Sequence, residues 1–65
     1  MDNPMKPTHE VAVRIWSFTA RAWWEPGKQV HISKQGKGGG AGRAQVMDAK
    51  GHLAVICNKD LRRLA

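Results

Sequence analysis

Between Lys34 and Arg43 the chain reads Lys34-Gln-Gly-Lys-Gly-Gly-Gly-Ala-Gly-Arg43, a glycine run that carries three cations and no acid. Glycines let backbone N–H groups approach an anion closely, and Lys34, Lys37 and Arg43 supply charge that neutralises phosphates. The chemistry implied is anion holding. It is not a nucleotide fingerprint, although Gly36-x-Gly38-x-x-Ala41 has dinucleotide-type spacing. The residues after it read as strand, where that motif needs a helix. Neither Gly27-Lys28-Gln29 nor Gly36-Lys37-Gly38 continues into the serine or threonine of a phosphate-binding P-loop.

Trp16, Trp23 and Trp24 are the second group with chemical potential, since indoles stack on nucleobases and also fill cores. In a small domain most of them belong to the core. Adjacent Trp23 and Trp24 do not both face inward, so one is expected at a ligand or self-association surface. Spacing does not decide which, and Trp24 is taken as the candidate. Lys28 extends the basic series, as do Arg62 and Arg63 near the chain end, where a helix C-terminus would favour them equally well. His9, His31, His52 and Cys57 match no familiar zinc spacing, and no cofactor or metal is expected. Ser17 and Ser33 lack an activating motif, and the carboxylates are scattered, so no enzyme is expected. The serious enzymatic alternative is a metal-independent ribonuclease using His31 or His52 as general base beside cations.

The distribution of charge sharpens this. Residues 1–25 carry Lys6, Arg14 and Arg21 against Asp2, Glu10 and Glu25. Residues 26–65 carry Lys28, Lys34, Lys37, Arg43, Lys50, Lys59, Arg62 and Arg63 against Asp48 and Asp60 alone, so the whole excess of +6 lies there. One basic face opposite a packed one is the expectation. The 65 residues suffice for one domain. A chain this short buries only about 60% of its unfolded surface, and Cys57 has no partner for a disulfide. The core must rest on apolar packing, with a homodimer as the remaining aid. Cys57, inside Leu53-Ala-Val-Ile-Cys57, reads as a small buried hydrophobe of a reducing compartment. No stretch resembles a signal peptide or a membrane span, so a cytoplasmic protein is expected.

The elements that must position these residues are read from turns and periodicity. Residues 1–8 are expected as a flexible tail, and 9–65 as a single β-rich domain. From His9 to Trp24 the signals conflict. Val11, Val13 and Ile15 alternate with Ala12, Trp16 and Phe18 as in a strand, while Glu10, Arg14, Ser17 and Arg21 form a helical stripe. The expectation is a strand through Trp16, then a helical turn or two to Trp24. Glu25-Pro26-Gly27-Lys28 suits a type II turn. Lys28 to Ser33 reads as a strand with Val30 and Ile32 inward, and Gln35 to Gly42 as a glycine-rich loop. Arg43–Asp48 and His52–Cys57 flank Asp48-Ala-Lys-Gly51, the chemistry of a hairpin with a type I turn and bulge. Asn58 caps a closing helical turn, Lys59 to Leu64, with Leu61 and Leu64 inward.

Three or four short strands with a terminal helical turn make a mainly β fold, a small curled sheet or barrel. The run Gly27-Lys-Gln-Val-His-Ile32, Gly42-Arg-Ala-Gln-Val-Met-Asp48, Gly51-His-Leu-Ala-Val-Ile56 and Leu61-Arg-Arg-Leu64 resembles small SH3-like barrels of the KOW type. In those a glycine opens a strand, and a long loop leads to a hairpin ending in a one-turn helix. Val11-Ala-Val-Arg-Ile-Trp16 with Gly27 to Ile32 is similar to part of OB-folds that bind single-stranded DNA. OB barrels place two strands ahead of that segment, and ten residues precede Val11, so the SH3-like resemblance ranks first. Both resemblances imply nucleic-acid binding. The expected function is thus a small accessory factor holding a phosphate backbone without reading sequence. The rival is an interaction module or inhibitor docking its basic face on an acidic protein surface.

Overall fold

The computed structural model describes residues 6–36 and 42–64. Two local turns organise it, and both follow from residue chemistry. Lys28 N–H donates to the Glu25 carbonyl at 3.1 Å, with Gly27 at φ +96°, the left-handed conformation a type II turn demands at its third position. At the second turn Gly51 N–H donates to the Asp48 carbonyl and Asp48 N–H to the His52 carbonyl, both at 3.0 Å, with Gly51 at φ +87°. The Asp48 carboxylate holds this turn from inside, its Oδ1 accepting Lys50 N–H at 3.0 Å and His52 N–H at 2.9 Å.

Among the described residues seven strands form where three or four were expected: β1 His9–Val11, β2 Ile15–Ser17, β3 Ala22–Trp24, β4 Gln29–Gln35, β5 Arg43–Met47, β6 Leu53–Cys57 and β7 Leu61–Arg63. They make one sheet in the order β3-β2-β6-β5-β4-β1-β7, every neighbouring pair antiparallel, curled into a half-barrel. The fold is mainly β, as expected. Among the described residues no helix is long and apolar enough to cross a membrane.

The segment from His9 to Trp24 departs from the expected strand-then-helix. It is the short strand β1, a break at Ala12–Arg14, and then the hairpin β2–β3. The polar stripe that imitates a helix is four unrelated residues. Glu10 pairs with Arg62, Arg14 lies over Trp23, Ser17 is buried, and Arg21 sits in the hairpin turn at φ +55°. One helical-type bond is made there, from Arg21 N–H to the Ser17 carbonyl at 2.8 Å. Pairing with β6 overrides propensity here. Ser17 Oγ donates to the Leu53 carbonyl at 2.8 Å and accepts Ala20 N–H at 3.2 Å, so the buried hydroxyl is satisfied by both sheet and turn.

The closing helix is also shorter than expected. A single 3₁₀ turn, Asn58–Asp60, gives way to β7, which pairs with β1 through His9↔Arg63, Glu10↔Arg62 and Val11↔Leu61. Extended pairing satisfies the outer backbone groups of β1, which a helix would leave open. Asn58 Oδ1 accepts Gln35 Nε2–H at 3.0 Å, and no side-chain cap is made by Cys57, the residue at the cap position. Thr8, assigned to a tail, is bonded at its N–H to Val30 and at its carbonyl to Leu64, so it belongs to the paired body. Residues 1–5 of the expected tail lie outside the described residues.

The core is Val11, Trp24, Val30, Ala44, Val46, Ala54 and Ile56, with Ile15, Ile32 and Leu61 packed against it. Strand alternation places Val30 and Ile32, Ala44 and Val46, and Ala54 and Ile56 on the inner face. The same alternation turns Cys57 away from that face, so it is half-buried where full burial was expected. Across β5 and β6 the register sets Ala44 against Ile56 and Val46 against Ala54, small against large, so the two strands interdigitate. Burying each Val or Ile contributes roughly 1.5–3 kcal/mol, which makes the single large ring of Trp24 a sizeable share of so small a core.

Candidate nucleic-acid interface

Because alternate residues point inward, the residues between them build a second, outward surface. It starts on the β2–β3 hairpin, where Trp16 and Trp23 are register partners, their rings 5.2 Å apart at 71°. Trp16 is 47% and Trp23 51% exposed. The Arg14 guanidinium lies 4.5 Å from the Trp23 ring centroid and pairs through Nε with Glu25 Oε2 at 3.2 Å. From there the register runs across the sheet. Ser17↔Ala54 sets Trp16 beside Val55, Val55 pairs with Gln45, and Gln45 pairs with Lys34. At about 4.8 Å per strand, this row from β3 to β4 spans roughly 19 Å.

Lys34 joins the row because of a backbone irregularity. Ile32 pairs with Val46 and Lys34 with Gln45, leaving Ser33 as an extra residue. Strict alternation from the inward Ile32 would aim Lys34 inward; the bulge re-aims it outward. Arg43, next to the buried Ala44, faces out on the adjoining row opposite Cys57. The ends of the glycine-rich connection are pinned. Gly36 N–H donates to the Arg43 carbonyl at 2.9 Å, and Asn58 N–H to the Gly42 carbonyl at 2.9 Å. A Cβ at Gly36 would lie 2.3 Å from the Arg43 carbonyl oxygen, so this approach is open only to glycine. Lys37 and the rest of the glycine run lie outside the described residues.

The other sequence candidates do not join this surface. Trp24 is only 5% exposed, a core residue with no face free for stacking; alternation on β3 turns it inward and Trp23 outward. Lys28 is half-buried, its Nζ 3.4 Å from Asp48 Oδ2 and 5.5 Å from the Trp24 ring centroid, so its charge is already partnered. Arg62 pairs with Glu10 at 3.4 Å on β7, at the opposite edge of the sheet from the tryptophans. Arg63, the next residue on that strand, points to the other face, so the two arginines cannot serve one surface. The basic residues of the last forty positions therefore do not all converge. Lys34 and Arg43 do, and neither has an ion-pair partner among the described residues.

Asp48 is the electrostatic centre of the hairpin turn. Burial opposes its charge and by itself would raise its pKa. The N–H groups of His52 and Lys50, then the Lys28 ammonium, outweigh burial and hold the carboxyl below its ordinary value. His52 Nδ1 lies 3.8 Å from Asp48 Oδ2, His9 Nδ1 is 2.8 Å from Thr8 Oγ1, and His31 Nδ1 is enclosed. Among the described residues no three His, Cys, Asp or Glu side chains gather as metal ligands, and no concave pocket forms. The candidate site is an open sheet face.

Arg14, Trp16 and Trp23 are the members that sequence reasoning did not place. Their signal was present in the Trp23-Trp24 pair, which forces one indole outward, but the facing direction needed the strand register. No family model, curated protein or solved structure matches the chain.

Proposed function

We propose that the chain is a small nucleic-acid-binding module of the SH3-like barrel type, an accessory factor that holds a phosphate backbone through Lys34, Lys37 and Arg43. The connection order supports the barrel reading: Gly27 leads into β4, a glycine-rich connection comes next, and the β5–β6 hairpin ends in one 3₁₀ turn before β7. The observation that carries the functional reading is the shared outward face. It bears two cations, Lys34 and Arg43, on the same row system as two half-exposed indoles. Contacts of this kind position a protein without reading base sequence.

A titration against short DNA and RNA oligonucleotides at two salt concentrations tests it. Affinity is expected to fall steeply with salt. Lys34→Ala with Arg43→Ala should weaken binding and flatten the logarithmic salt slope by roughly 1.4–1.8, about 0.7–0.9 for each phosphate no longer neutralised. An unchanged affinity in that double variant would refute the proposal. A second reading, a docking face for an acidic protein, is favoured by one observation: Phe18 and Val55 are also exposed, and Val55 adds apolar area beside Trp16. A pull-down from nuclease-treated lysate that retains one defined protein, absent with the same double variant, would select it.

A further inference from the structure

We infer that the tryptophan pair on the β2–β3 hairpin makes this surface a single-strand site, with bases stacked on the indoles while Lys34 and Arg43 hold the flanking phosphates. The inference rests on the reading proposed above and narrows its ligand from nucleic acid to unpaired strands. The cation row alone does not distinguish duplex from single strand, because both present phosphates. The indoles do. A duplex hides its base faces in the stack and offers sugar, phosphate and polar base edges to the sheet, so Trp16 and Trp23 would be desolvated against polar groups. A single strand offers free π-faces, and stacking of this type tolerates any base.

The geometry fits that ligand in three respects. The rings meet at 71°, so a base stacked parallel to one indole is inclined edge-to-face relative to the other, an arrangement aromatic rings prefer. Arg14, ion-paired to Glu25, lies 4.5 Å over one face of Trp23, so a base stacks on that ring from its other side. The row then crosses the apolar Val55 and the amide of Gln45 before reaching Lys34, so stacking and charge occupy opposite ends of roughly 19 Å. That is an extent suited to the roughly four nucleotides of the smallest single-strand sites. Positive charge at one end and aromatic surface at the other complement a strand that is anionic along its backbone and apolar on its base faces.

The test compares four probes against the full chain: a short oligothymidylate, its ribose counterpart, a blunt DNA duplex of the same length, and inorganic polyphosphate. Tryptophan emission is followed throughout. Expected are tighter binding of the two single strands than of duplex or polyphosphate, and quenching by single strands alone. Trp23→Ala should weaken single-strand binding roughly 5- to 150-fold, the size of one base–aromatic stack, with little effect on polyphosphate. Trp23→Phe and Trp16→Leu, which keep apolar bulk at the surface, guard against misfolding as the cause; Trp23→Phe should restore part of the affinity.

Equal affinity for duplex or polyphosphate, or full single-strand binding by Trp23→Ala, overturns the stacking site while leaving backbone binding intact. No binding of any probe overturns both readings together. A dimer in sedimentation that Trp23→Ala disperses would show the face covered by a second copy, and also overturns the inference. So would an acidic protein held through the same indoles and not displaced by oligonucleotide.

Discussion

The two hairpins of this sheet, β5–β6 and β2–β3, are built by different means. The β5–β6 hairpin is specified locally. Asp48 and Gly51 make the turn, Asp48 Oδ1 accepts two N–H groups within it, and alternating apolar residues set which face is buried. The β2–β3 hairpin has weaker turn chemistry: Ser17 Oγ accepts a single turn N–H, from Ala20 at 3.2 Å, and neither glycine nor aspartate stands in the turn. Its turn passes through Arg21 in a left-handed conformation that a glycine would adopt at less cost. Contacts made elsewhere hold it: Trp24 in the core, Ser17 Oγ on the Leu53 carbonyl, Thr19 Oγ1 accepting Leu53 N–H at 2.6 Å. The lesson is a division of labour. The self-sufficient hairpin supplies Ala44, Val46, Ala54 and Ile56 to the core, and the dependent one adds Trp24 there and carries the exposed rings.

That contrast is broken most sharply at Trp24. If β2–β3 depends on the core, Trp24→Ala should cost about 3–5 kcal/mol, enough to unfold much of a domain this small. Denaturant melts followed by circular dichroism would measure it; a loss under about 1 kcal/mol would mean that the hairpin stands by other means.

Next in size is Asp48. Asp48→Ala removes the acceptor of two turn N–H groups and the partner of Lys28, and about 2–3 kcal/mol of destabilisation is expected. Its pH dependence comes from the lowered pKa. The folded carboxyl titrates below the ordinary value of 3.8, so its contribution is present above that value and lost as pH falls through the folded pKa. Asp48→Asn should flatten the acid limb of a stability-against-pH curve. An unaltered limb in that variant would assign the acid sensitivity to another carboxyl.

The smallest effect is expected one residue before Trp24. Trp23→Ala gives up an edge-to-face pairing and a cation–π pairing at an exposed site, about 1–2 kcal/mol together. The sharp measure is the pair: thermal melts of the Trp23 and Trp24 variants side by side should differ by several degrees or more. Equal losses would erase the distinction between an outward and an inward indole.

Much of the β4 to β6 stretch was legible because its determinants are near neighbours in the chain. Pro26-Gly27 and Asp48 to Gly51 write their turns in residues whose backbone preferences are intrinsic, and Val30, Ile32, Ala44, Val46, Ala54 and Ile56 alternate as half-buried strands must. The candidate site was legible in part. Lys34 and Arg43 stood out by charge beside glycine, and they do share a face. Trp24, Lys28, Arg62 and Arg63 were drawn from the same charge and aromatic signals, and groups distant in sequence removed them: the core claims Trp24, Asp48 holds Lys28, and pairing with β1 carries Arg62 and Arg63 to the far edge.

The amino-acid sequence by itself determined the β character, the turns at Pro26-Gly27 and at Asp48 to Gly51, the inner face of β4 to β6, and the surplus of positive charge in the later residues. Those properties depend on single residues or on neighbours a few positions apart. Tertiary structure alone decided that residues 15–24 form a hairpin, that β7 is a strand, that a bulge turns Lys34 outward, and which tryptophan meets solvent. Each of these is a choice between local conformations of similar energy. It is settled by which distant strand supplies the hydrogen bonds and which face meets the core.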